Sequence, residues 1–543
     1  MVECGDDDAT GRWRAEAQRW RDEAQRLAAE SSVLRAEKAE LEGQVAALSE
    51  KVVTLSRLLF GDSSEKQQQG AKAKTSGGGG VGASAGDGGG GRRRGQQPGS
   101  RGHGRRDYSH LETVEEVHDV DEAQRCCDEC GAAYAGFGEE RCEQIDWRVR
   151  IVRIVHRRRS YRRTCACAVP GVVTAPVPAK PIAKGRFTAG FLARLLVDKY
   201  VWGRPLSRSA AALASEGFDV AEGTLVGALK AASALLEPLD AAIRVRNAAA
   251  GHVHVDETSW KVFEDVEGKA NQRWWLWVFA AADTTVFTIE PSRSTKVLRD
   301  HLGIDADATA LAGDRRLLIS SDFFTVYQSL DRVEGVDALW CWAHIRRYFI
   351  RAGDAYPKQL AAWRDAWVER IAALYRAHQM LAACPPGSHT RAAAAADFAA
   401  ALDAIDVARC DQAADAGLHP AAVKVLATLD HEWDGLARHK DFPELALDNN
   451  TSERALRNPV VGRKNYYGSG AVWAARLAGR VWTVTATAQL AGCDPLAYLR
   501  AYLDACAAAG ARPPTGQALA RFLPWMATEA DLAAWRAPGG RSP

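Results

Sequence analysis

From Trp13 onward a large apolar residue returns at every seventh position: Trp13, Trp20, Leu27, Leu34, Leu41, Leu48 and Leu55. Val45, Val52 and Leu59 fill the second seam position of the later heptads, whereas Ala17, Ala24, Ser31 and Lys38 leave the earlier ones thin. A repeat averaging 3.5 residues keeps one helical stripe facing a partner, so residues 1–60 read as a coiled coil. The stripe serves either self-association into a homo-oligomer or packing on the chain's own domain. The next segment favours the first, because residues 61–107 are dominated by Gly, Ser, Gln, Lys and Arg, with Gly77-Gly78-Gly79-Gly80 and Gly88-Gly89-Gly90-Gly91. Such a composition buries too little apolar surface to offset its ordering entropy and predicts a disordered linker.

In residues 108–180 the pattern turns to alternation. Val152, Ile154, Val155 and Tyr161 interleave with Arg148, Arg150, Arg153, Arg157, Arg158, Arg159, Arg162 and Arg163. Strands with apolar residues on one face and arginine on the other pack on a core while presenting cations to phosphate. Residues 181–245 then read as helices: Pro205 opens one, Glu216-Gly217-Phe218 breaks it and Glu222-Gly223 starts another. That is a helix-turn-helix arrangement or an ordinary two-helix corner.

Residues 246–352 carry the strongest strand signals. Gly251–Trp260 alternates small or apolar residues with polar ones and delivers Asp256 to a strand tip, and Arg273–Ala280 and Thr284–Ile289 are aromatic and β-branched runs; a helix follows over Thr295–Leu302, then a strand ending at Asp322 and a fifth strand over Asp337–Trp342. Three strands, a helix and two more strands outline an α/β core with a ribonuclease H-like sheet, in which the first and fourth strand tips are neighbours. Residues 353–440 are alanine-rich and predict a helical insertion, residues 441–500 return to the core, and residues 501–543 form a helical tail.

Charge and cysteine content refine this picture. The net charge of +2 conceals blocks, since Arg92, Arg93, Arg94, Arg101, Arg105 and Arg106 occur with no acid among them. The acidic start Met1–Asp8 is unlike a signal peptide, and with no run of about 18 apolar residues the expectation is a cytoplasmic, nucleoid-associated protein without membrane contact. Of the twelve cysteines, half lie between Cys126 and Cys167. The pairs Cys127-x-x-Cys130 and Cys165-x-Cys167 match a four-thiolate structural Zn2+ site, although the second pair is one residue short and Cys126, Cys142 or His156 could substitute. Unliganded structural cysteines are the alternative.

The chemistry points to three acids. Asp256 ends a strand, Asp322 follows the run Leu317-Leu318-Ile319, and Glu453 lies near the start of a helix. Brought together, they would supply the oxygen ligands that Mg2+ or Mn2+ prefers for phosphoryl transfer on DNA. Each acid alone also has a plainer reading: Asp256 and Asp322 as ordinary strand ends, Glu453 as part of a capping box with Asn450 or as a partner of Arg457.

Several motifs together resemble the insertion-sequence-66 family of bacterial DDE transposases. They are Leu58-Leu59-Phe60-Gly61-Asp62-Ser63-Ser64-Glu65-Lys66, Gln97-Pro98-Gly99-Ser100-Arg101-Gly102-His103, Asp256-Glu257-Thr258-Ser259-Trp260, Cys341-Trp342-Ala343-His344-Ile345-Arg346-Arg347, Asp448–Arg457 and Gly462-Arg463-Lys464-Asn465. The resemblance implies a ribonuclease H-like core with Asp256, Asp322 and Glu453 as the metal-binding triad, acting on terminal inverted repeats and target DNA, with accessory proteins encoded by the same element. Around the triad, Arg347, Arg454, Arg457, Arg463 and Lys464 are expected to hold DNA phosphates, as are Arg148, Arg150, Arg157 and Arg159 farther upstream. Asn449, Asn450 and His344 are expected to orient the carboxylates. A catalytically silent DNA-binding protein, or a nuclease without strand transfer, is the competing expectation.

Overall fold

The computed structural model describes residues 150–162, Thr164 and 172–536 apart from Ala270, together with Gln18, Glu23, Gln25, Arg26, Glu129, Ala132 and Ala133. The coiled-coil seam, the linker, Arg148 and the cysteines Cys127, Cys130, Cys165 and Cys167 lie outside the described residues. Gln18, Glu23, Gln25 and Arg26 are helical, and Arg26 pairs with Glu23 at 2.6 Å, one turn away.

The arginine-rich segment is extended and ends in a small antiparallel pair, β1 (Ser160–Arg162) with β2 (Val172–Thr174). Its alternation predicted an apolar face on a core. Instead Val152, Ile154, Val155 and Tyr161 are all more than half exposed. Two three-residue strands have no sheet of their own in which to bury a face.

A 5-stranded sheet forms the centre, in the order β5-β4-β3-β6-β7. Its members are β3 (His252–Lys261), β4 (Arg273–Ala280), β5 (Thr285–Glu290), β6 (Leu317–Ser321) and β7 (Val336–Trp340). The first three form an antiparallel meander, and β6 and β7 run parallel to β3. Central strands buried on both faces are apolar throughout, which is why β4 reads Trp274-Trp275-Leu276-Trp277-Val278-Phe279. The fifth strand stops two residues earlier than expected. Trp342 instead begins a helix and donates its backbone N–H to Leu447 O at 2.9 Å.

Helices cover both faces. They are α1 (Ala189–Leu196), α2 (Leu206–Ser215), α3 (Glu222–Ala248), α4 (Thr295–Leu302), α5 (Thr325–Leu330), α6 (Trp342–Ala355), α7 (Pro357–Ala383), α8 (His389–Ala413), α9 (Pro420–His431), α10 (Trp433–Ala437), α11 (Asn450–Tyr466), α12 (Val472–Leu490), α13 (Pro495–Ala508), α14 (Gln517–Ala520) and α15 (Glu529–Ala534). On one face Trp260 packs against Trp482 of α12, with ring centroids 5.4 Å apart. On the other, Phe279 stacks on His301 of α4 at 3.9 Å and Trp277 meets Tyr327 of α5. The short α5 between β6 and β7 was not anticipated.

Helix α3 does not stand apart from the core. Tyr502 of α13 donates to Leu235 O at 2.6 Å and Arg480 of α12 to Ser233 O at 3.0 Å. The helical block α7–α9 returns to the sheet where His439 contacts Trp340 O at 3.0 Å. No described helix is long and apolar enough to cross a membrane.

Candidate active site

Strand alternation sorts the adjacent acids of β3 to opposite faces. His252, His254, Asp256 and Trp260 share the face toward α11 and α12, whereas Glu257 faces α5. There Glu257 accepts hydrogen bonds from Tyr327 and from Arg293, whose guanidinium lies 4.6 Å from the Trp275 ring centre and 3.8 Å from that of Phe324. Burial raises the Glu257 pKa while these hydrogen bonds oppose the shift. Glu257 is thus engaged in packing the sheet's far side.

Asp256 and Asp322 are brought together by register. His254 pairs with Ser320 across the parallel β3–β6 ladder, and each aspartate lies two residues further along. Asp322 follows the end of β6, where its Oδ1 accepts the Phe324 N–H at 3.0 Å. Asp256 Oδ1 accepts the Glu257 N–H at 2.8 Å. The Asp256 pKa is pushed up to about 8, first by burial and then by the charges of Glu257, Asp322 and Glu453. Three distant segments therefore place negative charge in one neighbourhood.

Glu453 enters from the first turn of α11. The capping-box reading is not what forms. Asn449 is the N-cap residue but its side chain leaves the helix, while Asp448 accepts the Asn450 N–H at 3.1 Å. Glu453 instead approaches His344 Nε2 at 3.7 Å and Arg347 at 3.9 Å, both on α6. Burial lowers the His344 pKa, and its Nδ1 is buried without a partner.

Asn449 ties α11 to the sheet. It is 1 % exposed, donates Nδ2–H to Val255 O at 2.7 Å, contacts His254 Nδ1 through Oδ1 at 3.2 Å, and donates its backbone N–H to Cys341 Sγ at 3.2 Å. Arg463, expected on DNA, hydrogen-bonds Thr258 Oγ1 at 3.0 Å and also Ser259 O, holding the far half of α11 to β3. Arg454, Arg457 and Lys464 are exposed. Their spacing of three and seven residues puts them on one helical stripe with Val461, which is half exposed. Arg150, Arg157 and Arg159 lie exposed in the extended segment leading to β1.

The donor set is all carboxylate oxygen, the chemistry that hard divalent cations select. Among the described residues, however, no three His, Cys, Asp or Glu side chains are gathered closely enough to hold a metal ion. The acids are neighbours and would have to draw inward around a cation.

His254 and Cys341 were not singled out from sequence. The signal for His254 was the alternation His252-x-His254-x-Asp256, which puts the imidazoles and the carboxylate on one strand face.

Comparison with known proteins gives the chain's family. Residues 184–477 match the Transposase IS66 family. The uncharacterized protein y4qI of Sinorhizobium fredii is 26% identical over 401 residues, 72% of this chain and 72% of its own. From the same organism, the uncharacterized proteins y4jD and y4hP are 25% and 24% identical; these alignments cover 75% and 77% of this chain and 79% and 76% of theirs. The family match covers more than half of the 543 residues and runs from ahead of α1 into α12, taking in the sheet, the helical block and all of α11. On that extent of agreement, the chain belongs to the Transposase IS66 family.

Proposed function

We propose that this transposase cuts DNA at the terminal inverted repeats of an insertion sequence and joins the freed ends to target DNA, using Asp256, Asp322 and Glu453 in a ribonuclease H-like core. The observation that carries this reading is the convergence of three acids from distant segments: the β3–β6 register sets Asp256 beside Asp322, and α11 brings Glu453 close enough for its charge to act on Asp256. A half-buried carboxyl, raised first by desolvation and further by neighbouring acids that include two from separate segments, is a poor arrangement for stability and a suitable one for a divalent cation.

When bound between these residues, Mg2+ or Mn2+ supplies charge neutralisation on the attacking and leaving oxygens of a phosphodiester. Asp256, Asp322 and Glu453 would hold it. Arg347, beside Glu453, and the stripe Arg454, Arg457 and Lys464 grip phosphates on either side of the cut. Asn449, Asn450 and His344 orient the carboxylates. Water attacks phosphorus at the element's end and releases a 3′ hydroxyl, and that hydroxyl then attacks a target phosphodiester and displaces its 3′ oxygen. Zn2+ on Cys127, Cys130, Cys165 and Cys167, a homo-oligomer through residues 1–60 and accessory proteins of the same element complete the proposal.

The test is cleavage of a supercoiled plasmid carrying the element's ends, with magnesium, comparing wild type with Asp256→Asn and Glu453→Gln. Nicking at the ends by wild type alone, with both variants folded and still binding the ends, is the expected result. Cutting by either variant removes that acid from the site. Cleavage without joining to a second plasmid leaves a nuclease.

A further inference from the structure

We infer that His254 is a positioning residue for Glu453, acting through the amide of Asn449; the inference rests on the active site proposed above. The argument begins with hydrogen-bonding capacity. Val255 O can only accept, so the nitrogen of the Asn449 amide must face it at 2.7 Å. The amide oxygen therefore faces His254, 3.2 Å from Nδ1. That oxygen also can only accept, so the hydrogen of the His254 ring sits on Nδ1.

The contact joins residues 195 positions apart in the chain, at two fully or nearly buried side chains. His252 stands against the His254 ring with centroids 4.7 Å apart and is itself held by Ser320 Oγ at 2.9 Å, so His254 is set from behind. Asn449 passes the constraint on. Its carbonyl accepts the Ser452 hydroxyl at 2.9 Å and the Glu453 N–H at 3.3 Å, which makes it the first backbone acceptor of the turn bearing Glu453. His254 also lies two residues before Asp256 on the same strand face. One ring thus references the incoming helix to the strand holding the first acid, and loss of its Nδ1 donor lets Glu453 shift relative to Asp256.

Two substitutions separate this role from space-filling. Asparagine at 254 can offer an amide N–H bonded at the same place as Nδ1, whereas glutamine, closer in size to histidine, offers its amide at the Nε2 position. The full-length His254→Asn variant is expected to cleave plasmid ends close to the wild-type rate. His254→Gln should lose roughly 100-fold, the scale of a 1 Å misplacement at a reacting centre, with end binding unchanged. Manganese binding by calorimetry should weaken about 10-fold or more in His254→Gln and Asn449→Ala but not in His254→Asn. Independently of any activity, nitrogen-15 spectra of histidine-labelled wild type should show one ring protonated at Nδ1, absent in His254→Asn and perturbed in Asn449→Ala.

A wild-type His254 ring protonated only at Nε2, or a glutamine variant that cleaves and binds manganese as wild type does, overturns the inference. Asp256→Asn and Glu453→Gln serve as controls. If those two cleave normally, the proposed active site itself has failed. If they are inactive while His254→Gln is fully active, only the role of His254 falls.

Discussion

At the scale of single residues, Asp256 is a carboxyl group that the fold holds back from ionising. Its pKa in the folded chain is about 8 against an ordinary 3.8, with burial as the main cause. The folded state therefore keeps a proton that the unfolded chain has released, and the contribution to stability declines as pH rises from about 4 and is lost above about 8. Asparagine never ionises. In metal-free buffer at pH 8, Asp256→Asn is expected to be more stable than wild type by on the order of 2 kcal/mol, with the gap closing toward pH 4. Thermal melts at the two pH values check this. Magnesium should raise the wild-type melting temperature and leave that of Asp256→Asn where it was.

Among the elements, the pairing of α12 with β5 shows how a sheet edge is closed without another strand. Thr483 and Thr487, one turn apart on α12, accept the Phe287 and Thr285 N–H groups at 2.9 and 3.1 Å. Gly479, a further turn back, lets the helix come this close, since a Cβ there would lie 2.9 Å from Phe287 O. Thr483→Val leaves a buried N–H without a partner and is expected to lower unfolding free energy by about 1–3 kcal/mol in urea titrations. Adding Thr487→Val exposes two edge donors and should promote aggregation, visible by light scattering.

This pairing was illegible in the sequence because its partners are about two hundred residues apart and leave no local period. The same holds for Asn449 with His254, for Arg463 with β3, and for α5. What was legible had a local cause: the runs that became β3 to β7, the helix Thr295–Leu302, and Asp322 just past the end of β6, whereas Asp256, expected at a strand tip, lies midway along β3 because the strand continues to Lys261 in its pairing with β4. The alternation before β1 misled, because a period-two pattern predicts which side chains share a face and not whether anything covers that face.

For the molecule as a whole, a net charge of +2 says little of local charge, since Arg454, Arg457 and Lys464 lie exposed along one helical stripe. Each phosphate contact on duplex DNA contributes about 0.9 to the slope of log affinity against log salt. Replacing Arg454, Arg457 and Lys464 with glutamine is expected to flatten that slope by about 3 for specific and random DNA alike, measured by fluorescence anisotropy across a salt series. Residues 1–60 carry the heptad stripe expected to mediate self-association. Deleting them is expected to convert an oligomer to monomer in sedimentation.

The link between His254 and Asn449 also bears on synthesis. Ribosomes deliver roughly 5–20 residues per second, so the 195 positions between the two take on the order of 10–40 seconds to emerge. Once Asp322 has emerged, the nascent chain carries two of the three proposed acids and lacks Glu453. On the proposed chemistry, a message broken anywhere within the helical block is expected to yield a product that lacks Glu453 and cannot cut the chromosome of the cell making it.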